Sequence, residues 1–306
     1  MAPIDDRGER RRGNRRGTRH ALRREVPSTV ALLAAEEDFA AMRRYTSFAF
    51  DDHPSYLRQV EGLLRELATH EVHTTVALFD PAEYARYCAD TRIDPDSAGS
   101  RTRYVAEVAA GGGTVTYAGQ PVGELLPELL DAVTRRAAFD AATELLVRAG
   151  DCPDCGTDLG DAAFRQAGEL LRGLLEAAGP GEQHLVCSVP ARSTSLLAAL
   201  SATVPRTPAG AAGTPRLGES DALVFSTVLA AGIATGSPAG VVLRTSVDGL
   251  PDTVRGWALD DGWLRPLSEA EVFAAYCTDA LTGEPVPPEP GVDYRAGFPL
   301  RRPGAE

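Results

Sequence analysis

Apolar and polar positions between residues 46 and 83 follow one another in the order of a crossover unit. The stretch TSFAFDDHPSYLRQVEGLLRELATHEVHTTVALFDPAE runs apolar segment, acidic turn, amphipathic helix, apolar segment, acidic turn. Within its helix Tyr56, Val60, Leu63, Leu64 and Leu67 recur at helical spacing, while Arg58, Glu61 and Arg65 lie off that stripe. Residues 72–79 predict a strand, and residues 46–50 the strand before the helix, which together give a β-α-β unit. Upstream, Ser28 can cap a helix carrying Leu32, Leu33, Phe39 and Met42 to about Arg44; a strand over 29–33 is the alternative.

Downstream the helical rhythm continues. Short helices are expected over 81–90 and 101–110, then a glycine stop at 111–113 and a short strand over 114–117. Residues 120–149 read as mainly helical, with a start either there or beyond Pro127. Residues 159–178 form the next helix, on Phe164, Leu170, Leu171, Leu174 and Leu175. A strand is expected over 183–189 and a helix over 193–202. The Pro-, Gly- and Ala-rich stretch VPRTPAGAAGTPRLGES (204–220) reads as a linker. Beyond it, apolar runs at 222–234, 241–247, 253–259 and 263–267 are split by the turn sequences GSPAG, DGLPD and DDG, the pattern of an antiparallel meander. A capped helix follows over 268–280.

The expected organisation is an Arg-rich tail (1–25), an α/β domain (26–203) with a βαβ-containing sheet, the linker (204–220), a smaller α+β meander domain (221–298) and a tail (299–306). A faint internal echo links DPAEYARYCAD (80–90) to SEAEVFAAYCTD (268–279): both have a cap, a Glu at the third helical position and an aromatic followed by Tyr-Cys.

Composition narrows the chemistry. All 31 basic residues are arginine. Without lysine there is no P-loop lysine, pyridoxal Schiff base, kinase-type lysine or Ser-Lys dyad. Residues 1–25 hold nine Arg against four acids, +5, which leaves 22 Arg against 39 acids, −17, in the remainder and −12 overall. An acidic body disfavours nucleic acid and acidic membrane surfaces, except through the Arg-rich arm. No run approaches the roughly 18 apolar residues of a membrane span. The six apolar residues at 30–35 are too few for an export signal. Five cysteines without dense spacing fit a reduced, cytoplasmic compartment.

Two groups of residues could carry chemistry. Asp51, Asp52, His53 and Asp80 fall where strands hand over to helices, the place where open α/β sheets bind ligands. They could hold a divalent cation or work as acid and base. Capping competes for them: Asp80-Pro81-Ala82-Glu83 has the form of a capping box, and Asp52 or His53 before Pro54 can start the preceding helix. That leaves Asp51 and His53 without a structural reason.

The second group is Cys152-Pro153-Asp154-Cys155-Gly156, whose turn aims two thiolates at one point. Zinc wants four ligands, and the nearest second half is His184 with Cys187. On a regular strand those two face opposite ways, so zinc is the one cofactor suggested and its ligand set conflicts with the strand. Cys88, Cys187 and Cys277 also fit as small buried hydrophobes. A redox CxxC would follow a strand and open a helix, whereas here a long helix precedes it. Gly111 to Gly113 make no phosphate loop, and no G-x-S-x-G or H-E-x-x-H occurs. Trp257 and Trp263 read as core rather than as a ligand platform.

The first functional expectation is a non-catalytic binding or regulatory module for a small molecule or a protein. The second is a hydrolase or transferase working at Asp51, Asp52, His53 and Asp80. The third is a zinc-stabilised structural protein.

Overall fold

The structure is a computed structural model describing residues 28–191, 195–207, 212–279 and 282–302; the Arg-rich arm 1–25 lies outside them, as do 303–306. The described residues form eight helices and two sheets, of three and seven strands, in a mixed α/β arrangement. None of these helices is long and apolar enough to cross a membrane. The chain divides into two compact units, 1–136 and 137–306.

In the first unit β1 (Ser28–Leu32) pairs in parallel with β2 (Thr74–Leu78), from Ser28 opposite Thr74 to Leu32 opposite Leu78. β3 (Val115–Thr116) adds antiparallel to β2. Between β1 and β2 run α1 (Glu36–Met42) and α2 (His53–Thr69). α2 buries Tyr56, Val60 and Leu64, every fourth residue, so one stripe meets the core. After β2 come α3 (Pro81–Thr91) and α4 (Ala98–Gly111), which ends at Gly112 with φ +84°. α5 (Val122–Ala149) takes Pro127 inside it, and the division between the units falls within this helix, between Arg136 and Ala137.

The first strand of the crossover is therefore β1, and residues 46–50, expected as that strand, form a turn and an irregular segment. The reason lies in what satisfies their backbone. Thr46 and Ser47 give their N–H groups to the Asp96 carboxylate, while Phe48 and Phe50 pack on Tyr56 at ring-centre distances of 6.0 and 5.1 Å. A helix capped at Ser28 is likewise replaced by β1 and the short α1.

The second unit is built on the seven-stranded sheet. β4 (Gly181–Pro190) and β5 (Ser195–Val204) pair antiparallel, and β4 pairs on its other side with β7 (Ala239–Ser246). β8 (Asp252–Asp260) follows β7, with β9 (Trp263–Pro266) antiparallel and β10 (Val292–Tyr294) parallel along its far side. β6 (Arg216–Leu217) pairs with β5. One face of β4 and β5 is covered by α7 (Glu219–Thr235), which also packs on α6 (Leu159–Ala178). Beyond β9, Ser268 and Glu271 form a full capping box that starts α8 (Glu269–Tyr276).

Two elements change type against expectation. Residues 193–202, expected as a helix, contain the start of β5, where Leu196, Ala198, Leu200, Ala202 and Val204 are buried and the residues between them exposed. That two-residue period is a strand with one face in the core. Residues 222–234, expected as a meander strand, belong to α7, which is buried from Val224 through Gly232. A helix enclosed by sheet and helix has no polar face, so its sequence carries no helical period.

Segment 204–220, expected as a linker, contributes β6 to the sheet, and the strands on either side of it, β4 and β7, pair directly. Residues 299–302, expected in a free tail, follow Phe298, whose carbonyl accepts the Trp257 indole N–H at 2.9 Å. Leu300 packs against the same core.

Candidate functional site

At the C-terminal ends of β1 and β2 the structure gives Asp52 and Asp80 capping roles. Asp52 caps α2, accepting the Ser55 N–H at 2.7 Å and the Ser55 hydroxyl at 2.8 Å. Those bonds hold its carboxyl below the usual range. Asp80 caps α3, accepting from the Ala82 and Glu83 N–H groups at 2.7 and 3.0 Å. Glu83 pairs with Arg86 rather than closing a box. Asp51 is exposed and forms no hydrogen bond or ion pair among the described residues.

His53 is turned inward. Its Nε2 lies 3.0 Å from the Leu33 carbonyl, which can only accept, so Nε2 carries a proton and donates it. The ring sits beside Phe39 at 5.4 Å and stacks on Tyr56 at 6.2 Å.

Asp38, which sequence reasoning passed over, joins this turn. It is half-buried in the first turn of α1, and its carboxyl is raised from 3.8, first by burial and then by the charges of Asp80 and Glu37, with His53 opposing. Its signal was the acidic run Glu36-Glu37-Asp38 directly after an apolar segment, legible only once 28–32 is taken as a strand. Among the described residues no three His, Cys, Asp or Glu side chains are grouped to hold a metal, so a cation at this turn finds no support.

The zinc reading fares the same way. His184 lies on the exposed face of β4, with Nδ1 3.0 Å from the Ser201 hydroxyl, whereas Cys187 is fully buried on the opposite face. Burial pushes the Cys187 thiol up to about 12, which disfavours a thiolate ligand. Cys88 and Cys277 are buried too. Cys152 and Cys155 remain together in the turn between α5 and α6, Cys152 half-buried and Cys155 exposed.

A concave surface the sequence did not reveal lies in the second unit. A groove of about 610 Å³ has Leu170, Gly173, Trp263 and Leu300 in its walls, with Glu169, Glu176, Arg172, Arg301 and Arg302 around them. Two adjoining grooves, of about 430 and 550 Å³, share Trp263 and Arg302. The Arg302 guanidinium lies over the Trp263 ring at 5.7 Å. Arg165 and Arg265, at the margins, are paired with Asp161 and Glu271. Arg172 and Arg301 make no ion pair among the described residues, and Arg302 only the ring contact. The two tryptophans thus part company: Trp257 is core, and Trp263 is half-buried where the three grooves meet.

A family model described as a domain of unknown function (DUF8829) matches residues 17–120, roughly a third of the chain and within the first unit. No curated protein and no solved structure shows a match to the chain.

Proposed function

We propose that the chain is a non-catalytic binding module whose ligand site is the groove at Trp263, and that the ligand joins an anionic group to a flat apolar part. The observation that carries this reading is the convergence of three grooves on one half-buried indole, with Arg172, Arg301 and Arg302 on their rims forming no ion pair among the described residues. Three Arg against Glu169 and Glu176 leave the rim of the 610 Å³ groove at +1 in a body whose net charge is strongly negative. Arginine forks suit carboxylate or phosphate, and an indole face suits a planar ring. By contrast, Asp52 and Asp80 in the first unit are already engaged as caps.

Tryptophan fluorescence tests it, because Trp257 is sealed in the core and a surface ligand reports through Trp263. Adenosine monophosphate serves as probe, with adenosine and inorganic phosphate as its separate halves. Saturable quenching by the nucleotide, weaker for either half and lost in Arg302→Ala, is expected. No saturable response to any of the three at millimolar concentration rejects the site.

A second reading, a hydrolase or transferase at the strand ends, draws on Asp38. A half-buried carboxyl of raised pKa beside His53 and Asp80 is the environment of a general acid. Turnover of any ester or phosphoester substrate that falls by two or more orders of magnitude in both Asp38→Asn and His53→Ala would favour it.

A further inference from the structure

We infer that Cys152 and Cys155 form a thiol–disulfide exchange site for small disulfides, with Cys155 as the attacking sulfur and Cys152 as the resolving one.

The turn that carries them is held by its own backbone. The Gly156 N–H donates to the Cys152 carbonyl at 2.8 Å, closing the loop around both cysteines, and Gly156 takes φ +69° to do so. The Cys152 N–H donates to the Thr157 carbonyl at 2.8 Å, and the Leu159 N–H to the Gly150 carbonyl at 3.0 Å. Asp151 and Asp158 bridge across the base. The Cys152 thiol lies within hydrogen-bonding reach of the Cys155 sulfur on this loop.

The two sulfurs are not equivalent. Cys155 is exposed and lies 3.3 Å from the Thr157 hydroxyl. In the thiolate form that hydroxyl donates to the sulfur, and with the Thr157 backbone N–H and the Cys152 thiol it lowers the Cys155 pKa from 9.0. Cys152 is half-buried behind it. The other three cysteines are buried, so the fold exposes one reactive pair and hides the remainder.

The reaction balances with a low-molecular-weight disulfide, RSSR, as oxidant. The Cys155 thiolate attacks one sulfur of RSSR, forming a mixed disulfide and releasing RS⁻. The Cys152 thiolate then attacks Cys155 Sγ, forming the Cys152–Cys155 disulfide and releasing the second RS⁻. Two electrons pass from the dithiol to the small disulfide, and the two cysteine protons end on two RSH. This site is independent of the groove at Trp263, so either assignment can fail without the other.

The test uses the full reduced chain in glutathione buffers of graded oxidation, quenched with an alkylating agent and weighed intact. Two alkylation sites should disappear together at one midpoint, mapped to the 152–155 peptide. Cys152→Ser should stop at a mixed glutathione adduct on Cys155, and Cys155→Ser should be inert, with melting temperatures confirming that both variants fold. Native Cys155 should also be alkylated at least about tenfold faster than Cys88, Cys187 or Cys277, since thiolate character and access set the rate. Retention of both sites in fully oxidised glutathione, or an adduct absent from Cys152→Ser, overturns the inference. So does a chelator-removable zinc ion that shields both thiols in the protein as purified.

Discussion

Asp96 Oδ1 lies 2.7 Å from the backbone nitrogen of Ser47, almost fifty residues earlier in the chain. Its other oxygen takes the Thr46 N–H at 2.9 Å and the Thr46 hydroxyl at 2.6 Å. Arg101 completes the clamp by donating to the Ser47 hydroxyl at 2.8 Å. One carboxylate thus does for residues 46 and 47 what a neighbouring strand would otherwise do, and it brings Phe48 and Phe50 onto Tyr56.

These bonds hold the Asp96 carboxyl far below its ordinary 3.8. A carboxyl depressed in the folded state contributes stability that is present above its unfolded pKa and lost as pH falls through the folded one. Asp96→Asn should therefore lower the urea midpoint at pH 7, and the gap to the parent should narrow as pH drops below about 3.8. A gap that stays constant down to pH 2.5 would show that the clamp does not act through charge.

Asp38 carries the opposite sign. Its folded pKa is raised, so its ionised form weighs against the fold once pH exceeds the unfolded value of 3.8. Asp38→Asn should be at least as stable as the parent at pH 7 and should lose part of the parent's decline as pH rises above 3.8, read by thermal melts from that pH to neutrality. A less stable variant at neutral pH would mean that the carboxylate makes a favourable contact outweighing its burial and the repulsion of Asp80 and Glu37.

Much of this architecture is legible in the residues themselves where a segment shows its own environment. α2 and α6 each present one apolar stripe, and Asp52, Asp80 and Ser268 announce helix starts through side-chain bonds a few residues long. β5 and α7 are not legible that way. SLLAALSATV has enough Leu and Ala for a helix, and only pairing with β4 and β6 selects the alternation. α7 is buried from Val224 through Gly232, and its Val, Thr and Ile content imitates a strand. The site divides along the same line. The caps are local, whereas Arg301 and Arg302 come to Trp263 through long-range bonds that hold their segment, among them Phe298 to Trp257 across 41 residues.

Tyr117 offers a test of core polarity. Its ring is buried in the core of the first unit, and its hydroxyl finds no hydrogen-bond partner among the described residues. An unsatisfied buried hydroxyl costs about 1–3 kcal/mol, so Tyr117→Phe should stabilise the first unit by about 1 kcal/mol. Chemical denaturation would detect it, and a loss of similar size would point to a bridging water.

Gly297 ties the fold to the proposed ligand groove. Its N–H donates to the Leu267 carbonyl at 2.9 Å, and the preceding Arg295 N–H donates to the Val254 carbonyl at 2.9 Å, which lays residues 295–302 along β8 and β9. A Cβ at 297 would stand 2.5 Å from the Gly256 carbonyl and 3.1 Å from Pro266 Cα, both backbone atoms that cannot swing aside. Gly297→Ala should then cost about 1–3 kcal/mol as overpacking forces the segment outward. Displacing it carries Leu300, Arg301 and Arg302 away from Trp263. The variant should show a red-shifted Trp emission, as indole surface opens to water, and should lose the quenching by adenosine monophosphate. Arg302→Ala should lose the same quenching with melting temperature unchanged within about 2 °C, because an exposed arginine contributes little to folding. If Gly297→Ala instead keeps the parent's quenching and melting temperature, residues 295–302 do not form the wall of the groove.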